Sequence, residues 1–227
     1  MRPIAALLLP LLALTAVPAL ARETVVETVV TVEETVFESQ GGSERIVGLA
    51  PPVMPKGIAA YGPFRVLDAT RAALVDVTDS RSPAQFEAML KAHPGIALIE
   101  MLDCPGTEDD RANLRLGRLI HARGIVTHVP AGGSVRSGGV ELFLAGAKRI
   151  ADEGAEFAVH SWEDEDGREA KDYPADAPEN RAYLDYYREM GMTAQQAGAF
   201  YAMTNSVPFE QAKWLTAGDM KAWVSLN

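Results

Sequence analysis

The sequence is nearly without cysteine. Cys104 is the only one in 227 residues, so no intramolecular disulfide can form and packing must hold the fold. Basic side chains are also scarce: 21 Lys and Arg stand against 31 Asp and Glu, for a formal charge of −10. Such a chain is a poor partner for nucleic acid or an anionic membrane surface. The four histidines show no metal-ligand spacing, and with one cysteine they give no reason to expect a zinc site. Past the first twenty residues, no apolar run is long enough to span a bilayer. No internal repeat is visible.

The N-terminus is rich where the rest is not. Arg2 supplies a short positive region, Ile4 to Leu14 an apolar stretch, and Ala19-Leu20-Ala21 an A-x-A cleavage site. Pro10 and Pro18 interrupt the apolar run, which argues against a retained membrane helix. No cysteine follows the site to carry a lipid. Residues 1–21 are therefore expected to be a signal peptide, leaving no membrane span, and the protein is expected to be periplasmic. Cleavage removes Arg2 and no acid, moving the charge from −10 to −11 and leaving about 206 residues, enough for one core. Residues 22–45 form an acidic Thr/Val-rich segment and linker. Its composition favours a strand and its position a loose tail. A single domain is expected over 46–227.

Within that domain the pattern alternates. Short strands are expected at Phe64 to Leu67 and Arg71 to Val77, and Ser82-Pro83 opens a helix as its N-cap and first residue. Ile96 to Leu102 reads as one strand, Thr107 to Arg123 as a helix closed by Gly124, and Ile125 to Val129 as a strand. A Gly-rich turn then leads to a helix behind Ser137, followed by a strand at Glu156 to His160. Pro178 to Met190, Thr193 to Met203 and Thr216 to Trp223 read as three helices with aromatic faces. Strands alternating with helices imply α/β units on a largely parallel sheet. Ligands bind such sheets at the carboxyl ends of the strands. Two loops fall there: Leu102 to Thr107, and the turn Gly133 to Ser137.

That turn, Gly132-Gly133-Ser134-Val135-Arg136-Ser137-Gly138-Gly139, delivers a serine to a helix start, where N–H groups and the helix dipole favour negative charge. A nucleophilic oxygen and a developing oxyanion both gain there. The plain alternative for Ser137 is an N-cap hydroxyl. Ser134 is a lesser candidate, with a turn-stabilising role as its alternative.

Arg136 to Gly146 resembles the A-S-M-G-A-F-L-L-x-A-G helix start of the Clp protease proteolytic subunit, in the Clp–crotonase superfamily. Leu102 to Thr107 resembles that family's I-N-S-P-G-G loop. Phe157 to Ser161 resembles its V-M-I-H-Q strand end, and Lys213 to Ala217 its R-F-L-S-A run opening the final helix. The resemblance covers roughly residues 96–223. It implies a Clp/crotonase-like α/β spiral, with a mostly parallel sheet flanked by helices and a helical C-terminal part. It further implies a Ser137 nucleophile, a His160 base 23 residues later, and oxyanion N–H donors at Gly138 and at Gly106 or Thr107. No cofactor or metal is implied. Peptide or protein is the implied substrate, laid as an added strand, and the superfamily's rings and trimers leave room for a homo-oligomer. Two departures stand out. Ala212 occupies the place of the family's aspartate, which leaves Asn205, Glu210, Asp164, Asp166, Asp172 or no residue as the third member. Thr107 replaces a glycine.

The expected activity is a serine-type peptidase. The alternative is a catalytically degenerate fold that binds peptide or protein, and a third reading is crotonase-type thioester chemistry, which export disfavours. Cys104 reads as a small buried residue. His93, His121 and His128 read as structural, Glu163 to Asp166 as a solvated loop, and Tyr183, Tyr186, Tyr187, Trp214 and Trp223 as helix packing.

Overall fold

The computed structural model describes residues 50–227. The signal-peptide segment, residues 22–45 and the start of the expected domain lie outside them. The chain first lays down an antiparallel ribbon, β1 (Ala59–Tyr61), β2 (Phe64–Val66) and β3 (Arg71–Leu74), then α1 (Ser82–Ala92). A repeated course follows, in which one strand enters a large sheet, the next a small sheet, and a helix returns. The first turn is β4 (Leu98–Met101), β5 (Asp103–Cys104) and α2 (Asp110–Ala122). The second is β6 (Val126–Val129), β7 (Ser134–Arg136) and α3 (Gly138–Leu144). The third begins with β8 (Arg149–Ala151) and β9 (Glu156–Val159). After it come a 3-10 turn (Ala170–Asp172), α4 (Pro178–Glu189), α5 (Ala194–Thr204), β10 (Lys213–Thr216) and α6 (Ala217–Met220).

The large sheet runs β1-β2-β3-β4-β6-β8 and is parallel from β3 onward. The small sheet runs β10-β9-β7-β5, parallel except for β10. This is the expected α/β spiral with mostly parallel sheets, flanking helices and a helical C-terminal part. The repeat missing from the sequence is thus present in the backbone. Each turn keeps only strand propensity and a buried face, which different residues supply equally well.

Leu102 shows how the chain changes sheets. Its N–H donates to Leu74 O at 3.1 Å in the large sheet, and its carbonyl accepts from Ser134 N–H at 3.0 Å in the small one. The apolar run Ile96 to Leu102 is therefore two strands meeting at a pivot, since burial on both sides hides the break. For the same reason Ser134–Arg136, expected as turn, is a wholly buried strand. Lys213–Thr216, expected to open the last helix, pairs antiparallel with β9, and Thr216 caps the short α6 behind it. At α1 the N-cap position is Arg81. Ser82 instead turns its hydroxyl to Asp79, accepting from its N–H at 2.9 Å.

The core lies between the sheets and around α3, all seven residues of which are buried. Cys104, Val135, Phe157 and Leu215 share the inner face of the small sheet. Phe143 packs on Phe157 with ring centroids 4.9 Å apart. Gly117 lets α4 close on α2, since a Cβ there would lie 1.9 Å from Tyr186 Oη.

Candidate active site

The register of the small sheet brings three loops together. Cys104 is opposite Val135, and Val135 opposite Phe157. The residues that follow these strands, Gly106-Thr107, Ser137 and His160, therefore emerge side by side at one sheet end. The serine and histidine border the same cavity of about 170 Å³, as do Thr107 and Gly138.

Ser137 sits between β7 and α3 at φ 48° and ψ −129°, the only non-glycine with positive φ among the described residues. Such a conformation costs on the order of 1–3 kcal/mol and persists only where the surroundings impose it. They do so here: Ser137 N–H donates to Ala158 O at 2.9 Å, and its carbonyl accepts from Val140 N–H at 2.9 Å. The hydroxyl caps nothing and makes no hydrogen bond among the described residues. An ordinary N-cap serine would accept from the second or third helical N–H, so that reading does not fit. Ser134 is fully buried, and its hydroxyl accepts from Arg136 Nη1 at 2.7 Å.

Gly106 adopts φ +140°, and a Cβ on it would lie 3.1 Å from Ser137 Cβ and 3.5 Å from Ser137 Oγ. It backs the serine rather than lining the cavity. Thr107 takes no positive φ, so the change from the family's glycine is sterically tolerated. Its loop is bridged to Thr78 by Thr78 N–H on Gly106 O (3.1 Å) and Glu108 N–H on Thr78 O (2.8 Å). In such a bridge Thr107's own N–H points the other way. Gly138 must be glycine because a Cβ would meet Thr107 Cγ2 at 2.6 Å and Asn113 Nδ2 at 2.9 Å. Buried Asn113 ties these parts together, donating to Gly138 O at 2.7 Å and accepting from the Thr78 hydroxyl at 2.9 Å.

His160 is half-buried. Its Nδ1 lies 2.8 Å from Ser161 O, and a carbonyl only accepts, so Nδ1 carries the proton and Nε2 is left as the basic nitrogen. The Phe209 ring meets the imidazole edge-on at 5.0 Å. None of the proposed third members reaches it. Asn205 borders the cavity, but its amide nitrogen donates to Tyr201 O at 2.8 Å and to Thr204 Oγ1 at 3.2 Å. Glu210 is exposed. Asp164 accepts from Tyr173 and pairs with Arg168 at 2.9 Å, as Asp166 does, and Asp172 accepts from Glu169 N–H. Continuing the β9–β10 register by one residue sets Ala212 opposite His160.

Sequence reasoning missed the far wall. Asp110, the first residue of α2, borders the cavity, and burial holds its carboxyl above the usual range against a hydrogen bond from Tyr183. Asp110 lies close enough to His160 for an imidazolium to draw it down. Glu141, one helical turn beyond Ser137, is 6% exposed. Burial pushes it up to about 7 while Tyr187 donates to it at 2.7 Å. A glutamate in the middle of an otherwise apolar helix, four residues after the serine, was the available signal. Trp162 and Tyr183 stack at 6.4 Å, and Trp162 Nε1 donates to Tyr201 at 2.7 Å.

The remaining candidates lie outside the cavity lining. Cys104 is buried, its thiol pushed well up by desolvation, and its Sγ donates to Leu74 O at 3.7 Å. His121 Nδ1 contacts Ala145 O at 3.1 Å, and His128 faces Asp152 at 3.2 Å. No group of metal-ligating side chains exists among the described residues, and no described helix is long and apolar enough to cross a membrane.

No family model and no curated protein matches the chain. Among solved structures it is similar to the 1510-N membrane-bound stomatin-specific protease, as a mutant in complex with a substrate peptide. The TM-score is 0.45 and the identity 17%, over 65% of this chain and 71% of that one. A ClpP1 mutant from Listeria monocytogenes gives 0.45 and 16%, over 68% and 87%. The 1510-N membrane protease specific for a stomatin homolog from Pyrococcus horikoshii gives 0.42 and 14%, over 70% and 72%. The likeness concerns the course of the chain, and what Ser137 and His160 can do rests on their own geometry.

Proposed function

We propose that this chain is an exported serine hydrolase acting on peptides or small proteins, with Ser137 as nucleophile and His160 as base. The observation that carries the reading is the backbone of Ser137. A positive φ on a serine held between a strand and a buried helix, its hydroxyl free beside a cavity, is the placement that strand-to-helix nucleophile turns share. In the reaction, Ser137 Oγ attacks the carbonyl carbon while His160 Nε2 takes its proton. The oxyanion is received by the N–H groups of Gly138 and Thr107, with Gly106 shaping the turn behind them. His160 then protonates the leaving amine, and water hydrolyses the acyl-enzyme by the reverse transfer. One such donor contributes about 3 kcal/mol to the barrier. The Ser161 carbonyl serves in place of the missing acid by fixing the tautomer, without balancing the imidazolium charge. Asp110 supplies negative charge across the cavity.

Hydrolysis of a fluorogenic peptide library tests this. The native protein is expected to turn over at least one peptide, with Ser137→Ala and His160→Ala each lowering kcat on the order of 10⁴-fold. Ala212 opposite His160 favours the competing reading, a fold that binds peptide without cutting it. Peptide binding with no hydrolysis would establish that instead.

A further inference from the structure

We propose that the cavity beside Ser137 is a specificity pocket for a cationic side chain, lysine or arginine, on the residue whose carbonyl is attacked, with Asp110 as its counter-charge. The proposal rests on the hydrolase reading of Ser137 and adds the substrate class.

Four acidic side chains border the cavity, Glu108, Asp110, Glu141 and Glu163, and no lysine or arginine does. Asp110 makes no ion pair among the described residues; its partner is a tyrosine hydroxyl, which is neutral. A half-buried carboxylate without a cation stabilises little until one arrives. Asn205 also borders the cavity, its amide nitrogen held by Tyr201 O and Thr204 Oγ1. Aromatic walls at Trp162 and Tyr183 suit the methylene stem and the charged head of such a side chain. The volume of about 170 Å³ accommodates one side chain, not a folded segment. The adjoining surface depression is mostly of the same sign: Asp109, Asp164, Glu165 and Asp166 border it together with Arg111 and with Arg168, which is paired with Asp164 and Asp166 at 2.9 Å. Such a field draws cationic chains inward. Glu141, protonated up to about pH 7 in the empty cavity, gives its proton up to solvent when a cation settles beside it.

The test separates binding from chemistry. Full-length Ser137→Ala protein is titrated with peptides identical except for Lys, Arg, norleucine or Glu at one position, followed by fluorescence anisotropy. The Lys and Arg peptides are expected to bind at least roughly tenfold more tightly than the norleucine peptide. Adding Asp110→Asn, which keeps the Tyr183 hydrogen bond, is expected to bring that ratio near one. Equal or tighter norleucine binding overturns the proposal, and so does a lysine preference that survives Asp110→Asn. Should that variant not fold, exposed Glu163→Gln is expected to lower the ratio severalfold, and an unchanged ratio counts against the pocket. Lysine preference without hydrolysis by native protein would keep the pocket and remove the peptidase. Hydrolysis with norleucine preference would do the reverse.

Discussion

The two walls of the cavity are built by different means. One consists of strand ends: β5, β7 and β9 deliver Thr107, Ser137 and His160, and what matters there is backbone direction, one positive φ and close approach allowed by Gly106 and Gly138. The other is built of side chains on α2, α3, α4 and α5: Asp110, Glu141, Tyr183 and Asn205, placed by helix packing. On the function proposed above, the first wall would carry the acyl transfer and the second would select the peptide, so the two can be broken separately.

Short of removing Ser137 or His160, the largest effect should come from the backbone wall. Gly106→Ala places a Cβ 3.1 Å from Ser137 Cβ at a φ of +140°. Turnover is expected to fall on the order of 10²-fold, with KM nearly unchanged and equal losses for lysine and norleucine substrates. A loss confined to lysine substrates would mean that the walls are not separable.

The side-chain wall predicts a pH signature. Folded Glu141 keeps its proton up to about pH 7, against an ordinary value of 4.5. Between those values the native state binds more protons than the unfolded chain, so this group makes stability fall as pH rises from about 4.5 to 7. The full effect is roughly 3 kcal/mol. Glu141→Gln still accepts from Tyr187 and should flatten the slope in denaturant melts over that range. A slope identical to the native protein's would remove Glu141 from the account.

The smallest effect is a gain. Ala212→Asp sets a carboxylate opposite His160, whose imidazole hydrogen-bonds no carboxylate among the described residues. A rise in kcat of about tenfold is expected, well short of what a complete triad gives, because Ser161 O already orients the ring. No change in kcat, with the variant folded, would show that the carbonyl already does all an acid could.

What the sequence disclosed follows the same division. The strand-end wall was legible because its parts are local: glycines at a turn, a serine before an apolar helix, a histidine ending a strand, in a fixed order along the chain. Its strain was not, since φ at Ser137 depends on Ala158 holding its N–H. The pivot at Leu102 and the strand Ser134–Arg136 were hidden because a run buried on both faces carries no alternation to mark where one sheet ends and the next begins. The far wall was illegible for another reason. Only Glu141, inside an apolar helix, carried a local signal, and Asp110, 31 residues earlier, looks like an ordinary helix acid until α2 packs on α3. Asn113, which ties the Thr78 bridge to Gly138, likewise has no local signature. Asn205 borders the cavity but makes no hydrogen bond to the histidine, whose Nδ1 is taken by Ser161 O.

The central claim is that Ser137 is a nucleophile activated by His160, and mapping a fluorophosphonate adduct by peptide mass spectrometry tests it most directly. One adduct per chain on Ser137 is expected, absent in Ser137→Ala and strongly slowed in His160→Ala. An adduct on another residue, or labelling that persists in Ser137→Ala, would contradict the account.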